Sequence, residues 1–303
     1  MTVLAHDPVR LRRPRPARGA AGSARHGAAS LTLRPALEGP RRAARVLAVF
    51  PAAVYLELRD RPEPRVLAVV GADAVRPPNA LVLAATARER PFRDVREGAD
   101  AWVGDGAVDG GGLRVRVRRW WDPAPALGTV PPPVLERGVR ALAEAAGDAP
   151  GGLDGHPDPP LLAGCCAAGD LAGAVEAAER VVGLGPGLTP SGDDVLAGLL
   201  VTLRLLGHAV PGGRRAVWLA DWLGAAVTAD ADARTTAVSA TLLHCAAAGE
   251  TASEVAAVLR AAAGREEASP AVRRLLAVGH TSGADLAEGV LAGCRAVLAL
   301  AEP

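Results

Sequence analysis

The hydrophobic pattern changes period once along the chain, at Pro131-Pro132-Pro133. Before it, apolar residues come in short runs: Val46–Phe50, Val54–Leu58, Val66–Val70 and Leu81–Ala85. Leu113-Arg114-Val115-Arg116-Val117-Arg118 alternates strictly, as a half-buried strand does, with arginines on the outer face. Arg59–Pro62, Pro77–Asn79, Asp105-Gly106 and Gly110–Gly112 are turn signals. Short strands at short spacing predict a small β barrel or sandwich over residues 39–128. Trp120 and Trp121 are neighbours at a strand end, so they point to opposite faces, one to the core and one toward the rest of the chain.

Beyond the prolines the stripes are helical. Val134, Leu135, Val139 and Leu142 mark a helix to Ala146, and Leu171, Val175, Ala178 and Val182 mark another. Residues 148–160 read as loop. Further helices are predicted at about 191–206, 214–229, 235–248, 251–263, 270–278 and 283–300, punctuated by glycines and Pro211. The stretch 191–206 is apolar almost all round, which places it at the centre of a bundle. The fold class is α+β: a β-rich unit, then a mostly helical unit over residues 129–303.

Residues 1–38 are rich in Arg, Pro, Ala and Gly and offer little apolar surface to offset ordering entropy, so they are expected to be a disordered tail. The net charge of +1 gives no argument for nucleic acid or a membrane surface. No run reaches the ~20 apolar residues of a membrane span, and no apolar stretch follows the N-terminal arginines as it would in a signal peptide. Cys165, Cys166, Cys245 and Cys294 form no Cys-x-x-Cys pair and are expected to be reduced core residues of a cytoplasmic protein.

One stretch organises the helical unit: Gly-Leu-Gly-Pro-Gly-Leu-Thr-Pro-Ser-Gly-Asp-Asp-Val-Leu-Ala-Gly, residues 183–198. Glycines at 183, 185 and 187 demand a tight loop. A helix start follows. Either Ser191 is the N-cap and Asp194 closes a capping box, or Thr189 caps and Pro190 takes the first helical position. The phrase returns: Ser191-Gly192-x-Asp194-x-x-x-Gly198-x-Leu200 overlays Ser282-Gly283-x-Asp285-x-x-x-Gly289-x-Leu291. Two helix starts of one design are predicted to pack side by side through Gly198 and Gly289, with their N-termini facing one cavity. Helix N-termini attract anions.

No Walker lysine, Gly-x-Ser-x-Gly elbow or strand-led dinucleotide fingerprint is present. The remaining inventory suits a small anionic substrate. Ser191, Asp193, Asp194 and His280 are the candidate catalytic groups. Gly185, Gly187, Leu188, Thr189, Gly192, Arg234, Thr235, Thr236, Thr281, Ser282, Gly283 and Asp285 are the candidate binding groups. Gly192 and Gly283 would offer N–H donors to an oxyanion, Ser191 or His280 would move a proton, and Arg234 would meet a carboxylate. No cofactor is required. A Mg²⁺ on Asp193, Asp194 or Asp285, bridging to phosphate, is the one metal these residues offer.

The 183–198 stretch resembles the signature of the AllH-like family. Thr235-Thr236-x-x-Ser239 and Gly279-His280-Thr281-Ser282-Gly283-x-Asp285 resemble two further blocks of it, with Thr281 where a second serine is expected. A weaker likeness runs from Arg45–Phe50 through Pro78–Leu83. The family's named member is a subunit of oxamate carbamoyltransferase in allantoin breakdown, a branch of purine catabolism. The resemblance implies carbamoyl transfer between oxamate and phosphate, oxalurate plus phosphate giving oxamate plus carbamoyl phosphate, with other subunits as partners. Two alternatives stay open: a Mg²⁺-dependent helical hydrolase of a phosphate- or ribose-bearing molecule, and a non-catalytic anion-binding subunit.

Overall fold

The computed structural model describes residues 24–59 and 63–301. Eight strands close into a barrel: β1 (Arg25–Ser30), β2 (Arg42–Val49), β3 (Ala53–Leu58), β4 (Val66–Val70), β5 (Ala80–Leu83), β6 (Asp100–Gly104), β7 (Ala107–Gly110) and β8 (Leu113–Trp121). Their order is β1-β5-β4-β3-β2-β6-β7-β8, with β1 parallel to β8 and β4 parallel to β5.

The disordered tail expected over residues 1–38 does not hold from Arg25 to Glu38, which form β1, a 3-10 turn and a short helix. Residues 1–23 lie outside the described residues, as do residues 60–62 of the expected turn. From Arg25 the chain is the strand that closes the barrel between β5 and β8. A Cβ on Gly27 would stand 2.7 Å from the Val82 carbonyl oxygen. The small residues that suggested disorder are there to let β1 fit. The next residues, Leu33, Ala36 and Leu37, are buried in the barrel core, the last two on a short helix, α1 (Arg34–Glu38).

β4 does not alternate, and all five of its residues are buried. Leu67 and Val69 join the barrel core, while Ala68 and Val70 form an outer cluster with Ala80, Tyr55 and Trp121. The helical unit covers that outer face, where Val66 N–H donates to Thr241 Oγ1 at 3.1 Å. Burial on both faces explains an unbroken apolar run in a strand. Trp120 packs on the barrel core and Trp121 on the outer cluster, on opposite faces as adjacent strand residues must be.

The helices are α2 (Pro132–Ala146), α3 (Asp158–Ala168), α4 (Leu171–Val181), α5 (Ser191–Ala209), α6 (Arg214–Thr228), α7 (Ala231–Arg234), α8 (Ala237–Ala248), α9 (Ser253–Ala262), α10 (Ala268–Leu276) and α11 (Ser282–Leu300). α3 begins inside the predicted loop, because Pro159 and Pro160 occupy its first turn, where a missing N–H costs nothing. α4 buries Ala174, Ala177, Ala178 and Val181, with Leu171 and Val175 at the margin of that stripe. α5 is buried along nearly its whole length and α11 lies against it. Among the described residues no helix is long and apolar enough to cross a membrane.

Candidate functional site

The doubled phrase folds as two equivalent corners. Ser191 is the first residue of α5, and no side chain caps it. The Pro190 carbonyl accepts the Asp193 and Asp194 N–H groups at 2.9 and 3.2 Å. In α11 the Thr281 carbonyl accepts Ala284 and Asp285 N–H at 2.8 and 3.0 Å. Neither predicted cap forms: Pro190 holds the N-cap position of α5 and Thr281 that of α11, and no side chain accepts from the first turn of either helix.

The two glycines behave alike. Gly192 N–H donates to the Leu184 carbonyl at 2.9 Å and Gly283 N–H to Val278 at 3.0 Å. A Cβ on Gly192 would overlap the Val181 carbonyl oxygen, and one on Gly283 the Leu275 carbonyl oxygen. Each Ser-Gly therefore docks a helix start onto the end of the helix before it, α4 or α10. Both N–H groups are consumed in that docking, so the oxyanion role expected of them is not available.

The hydroxyls freed from capping meet across the pair. Thr189 Oγ1 lies 3.3 Å from Ser282 Oγ, and Ser191 Oγ lies 3.5 Å from Thr281 Oγ1. Gly152 closes over the second contact: its N–H donates to Asp285 Oδ1 at 2.8 Å, and a Cβ there would overlap Ser191 Oγ. Residues 148–160, expected as loop, thus supply a contact to both helix starts. The Gly151-Gly152 pair was the signal of a close approach.

Four candidate groups, Asp193, Thr235, Thr236 and Arg234, are spent on contacts within the chain. Asp193 is buried, with Oδ1 accepting Gly183 N–H at 2.8 Å and Oδ2 accepting the Thr235 hydroxyl. Thr236 caps α8 through Ser239 N–H and donates its hydroxyl to the Leu188 carbonyl. The Arg234 guanidinium donates to the Glu179 carbonyl and pairs with Asp230 at 3.7 Å, which turns it away from the expected carboxylate. Gly185, Gly187 and Leu188 form an exposed tip, the two glycines at φ of 110° and 99°. His280 is exposed and makes no hydrogen bond among the described residues.

On one side of the paired helix starts lies a cavity of about 630 Å³ between the barrel and the helical unit. Leu188, Thr189, Asp194 and Ser282 are the predicted groups that line it; Ser191, His280 and Thr281 do not. The rest of the wall was invisible in the sequence reading: Phe50, Tyr55, Val70, Val75 and Pro78 from the barrel side, and Val238, Leu242, Ala246 and Glu250 from the helices. These residues are distant in sequence and only the fold brings them together. Among the described residues the wall carries Asp73, Asp194 and Glu250 and no arginine or histidine.

Asp194 is the electrostatically distinct group. Burial pushes its carboxyl up to about 8; the charges of Asp285 and Asp193 add to the shift, and hydrogen bonds from Ser282 and Thr189 oppose it. It is therefore a neutral acid at pH 7, able to donate a hydrogen bond as well as accept one. Asp194 Oδ2 and Asp285 Oδ2 are buried without a partner. Burial also raises Glu250 at the far wall. Among the described residues no three His, Cys, Asp or Glu side chains converge as metal ligands, because Asp193 is committed to the loop. Of the three aspartates offered as alternative Mg²⁺ holders, Asp193 is taken up by Gly183 N–H and the Thr235 hydroxyl, and Asp285 by Gly152 N–H. The four cysteines are free, and burial raises each thiol, Cys166 and Cys294 to about 12, so they are inert packing groups.

The model of a family described as oxamate carbamoyltransferase subunit AllH matches residues 181–294. That span begins at the end of α4, takes in the glycine loop, and runs into α11. It contains both helix starts and leaves out the barrel. No solved structure matches the chain.

Proposed function

We propose that this chain is a subunit of an enzyme akin to oxamate carbamoyltransferase, and that the carbamoyl group binds where Thr189, Asp194 and Ser282 meet the cavity. The family match supports the subunit role, and it falls on the segment that supplies all three residues. The observation that carries the site is the neutral Asp194 between two hydroxyls at a cavity wall.

In oxalurate phosphorolysis a phosphate oxygen attacks the ureido carbonyl carbon. The carbonyl oxygen gains charge, the bond to the oxamate nitrogen breaks, and that nitrogen takes a proton. A preorganised donor aimed at the carbonyl oxygen lowers this barrier, and one such donor is worth about 10²–10³ in rate. A protonated Asp194 supplies it, as an ionised carboxylate would not. The attacking phosphate needs cations, and among the described residues the cavity wall has none. In this reading the partner subunits bring them to the exposed loop tip.

The test is carbamoyl phosphate formation from oxalurate and phosphate by the chain together with its partner subunits. Asp194→Ala should lower kcat by about 10²–10³, and Asp194→Asn, which keeps a neutral donor, should lower it by less than about tenfold. Equal loss in both variants, or none in either, would remove Asp194 from the reaction.

A further inference from the structure

The wall of the cavity says more about the ligand than the reactive corner does. A molecule the size of oxalurate or phosphate fills a small part of about 630 Å³. Pockets of this volume, with apolar walls and a few convergent polar groups, hold larger organic ligands. Away from Asp194 the surface is made by Phe50, Val75, Pro78, Val238, Leu242 and Val255. Phe50 and Tyr55 stack edge to face, 6.0 Å between ring centres, and present a firm aromatic wall.

Charge points the same way. Nothing cationic faces the cavity among the described residues, whereas Asp73 and Glu250 do. Beyond the corner of Thr189, Asp194 and Ser282, a carboxylate or a phosphate would meet Asp73 and Glu250 and no cation among the described residues. Asp194 offers the opposite character. Its proton, its carbonyl oxygen and the Thr189 and Ser282 hydroxyls complement a group that is itself both donor and acceptor, such as an amide or a urea. Asp194 is 6% exposed, and one of its oxygens still lacks a partner.

We infer that the cavity takes an uncharged N-substituted urea or amide, its carbamoyl end at Thr189, Asp194 and Ser282 and its substituent, apolar or aromatic, against the barrel and α8. The carbamoyl end rests on the function proposed above; the apolar compartment does not.

Calorimetry on the full chain with four probes separates the two. They are phenylurea, which has both parts; urea, which lacks the ring; toluene, which lacks the polar end; and oxalurate, which replaces the ring with a carboxylate-bearing group. Phenylurea should bind at least tenfold more tightly than urea, toluene or oxalurate. Leu242→Trp, which fills the compartment, should abolish that binding. Phe50 is 43% exposed, so Phe50→Ala leaves the fold intact and should weaken phenylurea several-fold with little effect on urea. Toluene binding as tightly as phenylurea would keep the apolar compartment and remove the carbamoyl corner, and the proposed reaction with it. Oxalurate matching phenylurea, or phenylurea binding untouched by both substitutions, would overturn the inference while leaving transfer from oxalurate standing.

Discussion

Gly198 of α5 and Gly289 of α11 face each other where the two helices touch. A Cβ on Gly289 would overlap the Val195 carbonyl oxygen, and one on Gly198 the Leu286 carbonyl oxygen. The obstacles are backbone atoms, so neither helix can yield by turning a side chain. This close approach holds the two helix starts side by side and so builds the corner where Thr189 and Ser282 meet. Gly289→Ala should destabilise the chain by about 1–3 kcal/mol or more, as overpacking does. Gly164→Ala is the contrast, because nothing lies within 4 Å of a Cβ in the middle of α3. There the helix propensity gain should stabilise by about 0.5–1 kcal/mol. Urea unfolding of the two variants gives opposite signs if the crossing is as described.

The crossing was legible in the sequence because close helix contact needs a small residue in each partner, and Ser-Gly-x-Asp-x-x-x-Gly appears twice. The barrel was legible in β2, β3, β4 and β8, whose apolar runs or alternation are strong. β1 was not, because its Gly27, Ala28 and Ala29 carry no strand propensity and earn their place by closeness to β5. The site was half legible. The predicted groups that share the cavity wall are Asp194 and Ser282 of the doubled phrase and Leu188 and Thr189 of the glycine loop. The assignments that failed share one cause. Gly192, Gly283, Asp193 and Arg234 have the chemistry of ligand-binding groups, but the loop and helix ends consume it internally. Nothing in composition or spacing distinguishes a donor spent on a carbonyl from one left for a substrate.

Asp193 illustrates the difference, and it can be tested as a brace. Removing its carboxylate orphans the Gly183 N–H and the Thr235 hydroxyl. Asp193→Ala should cost about 1–3 kcal/mol in urea unfolding. The exposed tip between Gly185 and Leu188 should then become a preferred site of limited proteolysis. Asp193→Asn retains an acceptor oxygen and should lie between the two. Wild-type stability in the alanine variant would show that the loop does not lean on Asp193.

Gly152 offers a test of how the second hydroxyl pair is covered. A Cβ at this position would overlap Ser191 Oγ and lie 3.2 Å from Thr281 Oγ1. Gly152→Ala should therefore lift residues 151–152 from the helix starts, weaken the bond from its N–H to Asp285, and destabilise by about 1–3 kcal/mol. Ser191→Gly removes the obstructing side chain. Combining it with Gly152→Ala should recover much of the loss, a coupling expected only of residues in contact. Additive effects in the double variant would place the two residues apart.

Asp194 ties stability and rate to the same proton. The native carboxyl keeps its proton to about pH 8, against 3.8 for a free aspartic acid. Between these values the unfolded chain has released a proton that the native chain still holds. Stability therefore falls as pH rises through that window and stops falling above about pH 8. The full loss from this one residue is on the order of 5 kcal/mol. Asp194→Asn has no proton to lose. Its melting temperature should match wild type near pH 4 and exceed it by a widening margin up to pH 8. Turnover should follow the same ionisation. If the neutral acid is the donor, kcat of the wild-type complex falls as pH passes about 8, where Asp194 ionises, and the Asn variant lacks that alkaline limb. Melting curves and kcat measured from pH 5 to 9.5 on both forms would check the two consequences together. An alkaline limb that persists unchanged in the Asn variant would assign the titration to another group.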